Sequence, residues 1–241
     1  MDPLTGAAAS GMRASMESLD MLANNLANAQ TNGYKSDREF YDLYTSPDAT
    51  EGPVEMPNIV KNWTDFSQGS LQQTSNSLDF GISGQGFFSV NGPNGTLYTR
   101  NGSFKLNAAG QLATQDGYTV RGTDGKPVQM DPAQAVNVGS DGVVMQSGNQ
   151  VGQIQLAAFQ NPSDLVKQGT NNFQFTGRPN EMKTAAGEIQ QGKLESSNVA
   201  PADSAVRLVG VMRQFEMLQK AISIGTDMNK QAIEEVARSG N

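Results

Sequence analysis

The closing stretch, Pro201 to Asn241, constrains the fold most, because it reads as one long helix with more apolar surface than a single neighbour can cover. Leu208, Met212, Phe215 and Ile222 make one stripe. Val206, Val209, Met217, Ile224 and Met228 make a second on a neighbouring face, at helical spacing. Pro201 suits the first turn, and Asp203 faces the positive end of the helix dipole. A helix apolar over so broad an arc is either deep in a core or shared among several neighbours.

The other end of the chain offers one neighbour. Asp2-Pro3 is a good N-cap and first-turn pair, and Leu4, Ala8, Met12, Leu19, Leu22 and Leu26 then recur at helical spacing. The helix is expected to stop near Asn32-Gly33, where the backbone turns left-handed at little cost. The two terminal stripes suit a coiled-coil-like pairing, and two helices laid on one common core satisfy the same periodicity. Amides crowd the end of the first helix, where Asn25, Asn28 and Asn32 share a face. They read either as register-fixing contacts or as solvated helix-end residues.

Between the helices the pattern changes. Tyr41, Leu43 and Tyr44 suggest a short continuation, after which Pro47, Gly52, Pro53 and Pro57 mark an extended connector. From about residue 66 to residue 195 the period becomes two. Phe104 and Leu106, then Ile154, Leu156 and Ala158, then Phe173 and Phe175 alternate with their neighbours as half-buried strands do. Asn94-Gly95, Asn101-Gly102, Asp116-Gly117, Asp124-Gly125 and Asp141-Gly142 supply the positive φ that tight hairpins require. The expected fold class is α+β: N- and C-terminal helices (1–33 and 196–241) paired as one module, a connector over 34–65, and an inserted, mainly antiparallel β domain over 66–195.

Composition removes most catalytic chemistry. The chain has neither cysteine nor histidine, so thiol catalysis, zinc-thiolate sites, disulfides and the commonest general base near neutral pH are all missing. Seventeen basic against 24 acidic residues give a formal charge of −7 with no basic cluster, which disfavours nucleic acid and anionic membranes as partners. No stretch approaches the roughly 20 apolar residues of a membrane span, and the N-terminus lacks a secretory signal pattern. Gly81-Ile82-Ser83-Gly84-Gln85-Gly86 is followed by the strand-like Phe87-Phe88-Ser89-Val90 rather than a helix, so it is not a dinucleotide loop. Glu234-Glu235 reads as a solvated helix face, and the Asp-Gly turns lack the ligand series of a calcium loop. No catalytic, cofactor or metal site is expected.

Four segments carry a resemblance. Asn24-Asn25-Leu26-Ala27-Asn28 with Thr31-Asn32-Gly33-Tyr34-Lys35, then Gly84-Gln85-Gly86-Phe87-Phe88, then Tyr98-Thr99-Arg100-Asn101-Gly102-Ser103-Phe104, and finally Glu195-Ser196-Ser197-Asn198-Val199 resemble, in order, the signatures of bacterial flagellar rod and hook proteins. The chain is more similar to proximal than to distal rod subunits. The longer segment that distal subunits carry, with a Gly-x-Gly-Val-type stretch, has no match between Thr45 and Trp63, and Arg213 to Lys220 reads like the proximal kind.

The resemblance implies a structural subunit, not an enzyme, that polymerises in the axial drive shaft with other rod proteins and with copies of itself. It also implies export by the flagellar type III apparatus without a cleavable signal, to the rod in the periplasmic space. On that reading Leu19, Leu22, Leu26, Leu208, Met212, Phe215 and Ile222 pack the paired termini. Asn24, Asn25, Asn28 and Asn198 make polar contacts in the assembled tube, and Gly33 has a backbone role. A cytosolic coiled-coil scaffold, or a secreted adhesin or enzyme built on the β domain, would account for the periodicities alone but not for the ordered motifs.

Overall fold

A computed structural model of the chain describes residues 3–45, 55–178 and 181–239. The chain divides into two compact units. One comprises Met1–Ala27, Asp37–Thr64 and Ala200–Asn241; the other comprises Asn28–Ser36 and Asp65–Val199. The architecture is α+β, with the terminal helices in contact and an antiparallel β region between them in sequence.

In the first unit α1 (Pro3–Ala27) packs against α2 (Pro201–Ser239) and against a ribbon of β1 (Asp37–Thr45) and β2 (Glu55–Thr64). The buried line on α1 is Ala8, Gly11, Ser15, Ser18, Leu22 and Asn25, alternating steps of three and four. The half-buried line on α2 keeps the same alternation: Ser204, Leu208, Val211, Phe215, Leu218, Ile222 and Gly225. Both lines keep a heptad spacing; on α1 the line is shared, since Ser18 and Asn25 on it bond the ribbon at Glu39 and Asp37 while the helix as a whole also packs against α2.

The connector read from sequence is a hairpin over much of its length. Asp37 pairs with Thr64 and Thr45 with Glu55, with a bulge between Phe40 and Tyr41. A two-stranded ribbon is all edge, so Pro57 opposite Leu43 is tolerated where a central strand would reject it. Pro47, Gly52 and Pro53 lie outside the described residues. The first helix also ends earlier than Asn32-Gly33: it stops at Ala27, and bonds from the Thr31 and Tyr34 amides to Asn28 O and Thr31 O close two successive turns, the second of which contains Gly33.

The second unit is built from short strands. They are β3 (Leu71–Gln73), β4 (Phe80–Ser83), β5 (Phe87–Gly92), β6 (Gly95–Thr99), β7 (Phe104–Leu106), β8 (Leu112–Thr114) and β9 (Thr119–Val120). There follow β10 (Val136–Val138), β11 (Val143–Gln146), β12 (Asn149–Gln153), β13 (Leu156–Phe159) and β14 (Leu165–Gln168). The last are β15 (Asn172–Phe175), β16 (Met182–Thr184), β17 (Glu188–Gln191) and β18 (Lys193–Glu195). The main sheet runs β14-β15-β6-β5-β9-β8-β7, with β13 joining β5 to β16; β10-β11-β12, β17-β4 and β18-β3 form smaller antiparallel sets.

Strand β5 feeds two cores because adjacent side chains point to opposite faces. Phe88 and Val90 join Phe80, Ile82, Phe104 and Leu112 in the larger cluster, whereas Phe87 joins Tyr98, Leu165 and Phe173 in the smaller. Two details depart from the sequence expectation. Gly102 makes no hairpin turn; a Cβ there would collide with the Phe80 carbonyl, whose residue donates N–H to Gly102 O at 3.0 Å. The alternation over 153–158 is broken, since β12 ends at Gln153 and β13 begins at Leu156. Ile154 enters one core and Ala157, not Leu156 or Ala158, enters the other.

Candidate functional site

Two features stand out, one in each unit. In the helical unit α2 carries a second apolar line. Val206, Val209, Met217, Ile224 and Met228 are exposed by 73, 48, 66, 51 and 65 %, on the side of the helix opposite the seam. Of the residues expected to pack, Leu22 is buried and Leu19, Leu26, Leu208, Phe215 and Ile222 are half-buried. Met212 lies off the seam at 47 % exposure, and Val211 holds the position. The reason is the period: a seam repeating every 3.5 residues selects 211 where a 3.6-residue face admits either neighbour. Asn24 is exposed. Asn25 is buried and reads both polar groups of one residue, donating from Nδ2 to Asp37 O at 2.8 Å and accepting the Asp37 amide on Oδ1 at 3.0 Å. Ser18 Oγ bonds Glu39 Oε1 at 3.0 Å, so the ribbon is keyed to α1 by two polar contacts.

In the β unit three charges are buried together. Glu195 Oε1 accepts from Lys35 Nζ at 2.5 Å and from the Gly69 amide at 2.9 Å, and Oε2 accepts from Arg100 Nη1 at 3.1 Å. Lys35 also donates to Ser67 O at 2.7 Å, and Arg100 Nη2 to Gly84 O at 2.9 Å. The guanidinium lies 5.1 Å from the Phe87 ring centre, and its Nε has no hydrogen-bond partner. Burial holds the Lys35 ammonium and the Arg100 guanidinium below their ordinary values, and Glu195 opposes the shift in both. Two cations on one carboxylate, all nearly inaccessible, form a structural lock rather than a reactive centre.

Next to this lock Asn198 ties together two backbone segments, at Ser36 and at Asp65 to Ser67. Its Oδ1 accepts the Ser36 amide at 2.8 Å, and its Nδ2 donates to Asp65 O at 2.7 Å and to Ser67 at 3.2 Å. Asp65 N–H reaches Ser36 O at 2.8 Å. Gly33, at φ 70°, lies so close to the Arg100-Asn101 backbone that a Cβ would overlap it, and its amide donates to Glu195 O at 2.7 Å. Lys167 donates to Lys35 O at 3.0 Å with its ammonium 4.1 Å from the Tyr34 ring centre. Asn28, half-buried in the same unit, accepts from Thr31 Oγ1 at 3.2 Å.

Comparison with known proteins decides the family. Residues 7–35 match the flagella basal body rod protein family, 81–146 the flagellar hook protein FlgE/F/G D1 domain, and 190–235 the flagellar basal body rod FlgEFG protein C-terminal family. The flagellar basal-body rod protein FlgF of Caulobacter vibrioides is 33% identical over 225 residues, covering 91% of this chain and 92% of the relative. FlgF of Mesorhizobium japonicum is 34% identical, over 82% and 83% of the two chains, and FlgG of Borreliella burgdorferi is 34% identical, over 92% and 94%. The chain belongs to the flagellar basal-body rod protein family.

As a rod protein it is a structural subunit rather than an enzyme, and it assembles with rod components. Among the described residues no helix is long and apolar enough to cross a membrane. The four motifs of this rod protein meet in one place: Gly33 and Lys35 from the first, Gly84 and Phe87 from the second, Arg100 from the third, Glu195 and Asn198 from the fourth. Sequence reasoning quoted all four and missed that their charged members form one cluster. The available signal was Lys35, Arg100 and Glu195 themselves, each the single charge in a motif whose other residues are uncharged.

Proposed function

We propose that this chain is a proximal rod subunit of the FlgF kind, exported by the flagellar type III apparatus and joined to copies of itself and to other rod proteins through its terminal helices. The carrying observation is the exposed apolar line Val206 to Met228 on α2, on the face away from the α1 seam. A helix with one face on α1 and another uncovered is half of a larger helical assembly. Alignment lengths support the FlgF reading. The Borreliella FlgG alignment runs to 253 residues while covering 92% of a 241-residue chain, so FlgG carries insertions that this chain lacks. The Caulobacter FlgF alignment needs only 225 for 91%.

Leu22→Asp and Phe215→Asp test the assembly role. Each is expected to be absent from purified basal bodies of a flagellated strain while the isolated variant keeps the circular-dichroism signal of the β unit. Normal incorporation of both would overturn it. The kind of subunit is tested by complementation: the gene should restore motility to a strain lacking FlgF and fail in one lacking FlgG.

Assembly also sets an expectation for dynamics. With its outer line uncovered, α2 in the free subunit should exchange its amides faster than β5 and β6 of the β core. Hydrogen exchange that finds both terminal helices protected as fully as β5 in the isolated chain would rule out ordering on assembly.

A further inference from the structure

The β unit holds a cleft of about 620 Å³, lined in part by Asn28 and Thr31. Its floor is one face of the main sheet. Gln168, Asn172 and Thr99 stand opposite one another across β14, β15 and β6, and Gln174 and Leu97 form the adjacent cross-strand pair. Their neighbours Tyr98 and Phe173 point the other way, into the smaller core. The walls are turns: Pro93-Asn94 of the β5-β6 hairpin, Gln115-Asp116 with Tyr118 between β8 and β9, and Gly169 to Asn171 between β14 and β15.

The chemistry of this lining is narrow. Its polar groups are Asn and Gln amides and Thr and Tyr hydroxyls; Asp116 is its one acid, and neither Lys nor Arg lines it among the described residues. Anionic ligands find no counter-charge there. Apolar ligands would desolvate amides without replacing their hydrogen bonds, at a cost on the order of 1–3 kcal/mol for each. Amides and hydroxyls present donor and acceptor side by side, and the ligand group that answers both from one atom is an alcohol. Tyr118, half-buried against the larger core, closes one wall.

We propose that this cleft binds a neutral carbohydrate, a short stretch of glycan, through the side-chain amides of Gln168, Gln174 and Gln115 that line it. An extended peptide is the rival occupant, and the floor argues against it. Strands β15 and β6 are hydrogen-bonded on both sides, so the floor's one open edge is the outer side of β14, away from β15 and the Asn172-Thr99 pair, where an added peptide backbone would lie off the cleft floor. The volume falls within the roughly 300–1,000 Å³ of small-molecule sites.

The test uses the full chain, isotope-labelled, with maltotriose, cellotriose and chitotriose as separate probes and a neutral Ser/Ala/Gly decapeptide as the fourth. At least one trisaccharide is expected to shift the side-chain amide resonances of Gln168, Asn172 and Gln174 saturably, with a Kd of about 1 mM or tighter. Gln168→Ala with Gln174→Ala should weaken that binding at least about tenfold with the backbone spectrum unchanged. Should the double variant lose its dispersed spectrum, the exposed Gln115→Ala takes its place and is held to the same loss. Silence toward all three sugars up to about ten times that concentration overturns the proposal. So does saturable binding of the decapeptide alone, or sugar binding that the variants leave untouched.

Discussion

Glu195 carries more of the β unit than any motif pattern suggests, and its cluster makes a quantitative prediction possible. With Lys35 and Arg100 the buried set has one surplus positive charge. Glu195→Gln leaves two cations facing each other without a carboxylate, and should cost about 3–5 kcal/mol. Lys35→Met leaves a complete Arg100–Glu195 pair and removes the surplus, so its cost should be clearly smaller. Urea unfolding of the full chain gives the order, and equal losses would show that charge balance does not govern this site. Lys35 also fixes a sign for pH. Burial lowers its pKa from 10.5, so between the lowered value and 10.5 the unfolded chain holds a proton that the folded chain has released. Stability from this group therefore rises with pH across that window, the reverse of a lysine stabilised by its partner. The unfolding free energy of the wild type relative to Lys35→Met should climb as pH approaches 10.5; a falling difference would mean that attraction to Glu195 outweighs desolvation.

At the scale of elements, the seam between α1 and α2 shows how far periodicity reaches. Leu208, Phe215 and Ile222 were legible because they are large, apolar and seven apart, which a 3.5- and a 3.6-residue period both keep on one face. Between them Val211 and Met212 are both apolar, and only the partner helix decides which faces inward. On α1 the buried line is hidden from any hydrophobicity count, because Gly11, Ser15 and Ser18 belong to it. The β1-β2 ribbon was illegible for a similar reason: its polar keys to α1 are Ser18 to Glu39 and Asn25 to Asp37, contacts that no period encodes. In the β unit the hairpin glycines at 95, 117, 125 and 142 take the positive φ expected of them, whereas Gly102 serves close approach, which a dipeptide cannot distinguish from a turn. A paired substitution tests the phase. Val211→Asp should lower the unfolding free energy of the helical unit by at least about 2 kcal/mol, and Met212→Asp should stay within about 0.5 kcal/mol, both followed by helical circular dichroism. If the two lose equally, the helices do not share this seam.

At the scale of the molecule, the order of the chain and the order of the units differ, since the backbone passes between units after Ala27, Ser36, Thr64 and Val199. The β unit is thus not an uninterrupted insert. It draws Asn28–Ser36 from ahead of the ribbon, and that segment brings Lys35 to Glu195 and the Ser36 amide to Asn198. A fragment cut at the change of periodicity, residues 66–195, drops Lys35, Asp65 and Asn198 together, leaving Glu195 with Arg100 and the Gly69 amide and the Ser67 carbonyl without its two donors. A better-bounded fragment follows from one distance. Ser36 O and Asp65 N are 2.8 Å apart, so residues 37–64 can be replaced by a two-residue Gly-Gly turn that carries 28–36 directly into 65–199. That construction should unfold cooperatively with the β signature of the whole chain, whereas 66–195 should be weaker by at least about 3 kcal/mol or fail to fold. Adding Lys35→Met to the Gly-Gly fragment should reproduce only part of the difference, because the Asn198 clasp remains. Equal stability of the two fragments in urea would mean that the segment before the ribbon is a passenger, and that the meeting of the four motifs contributes nothing to holding the β unit together.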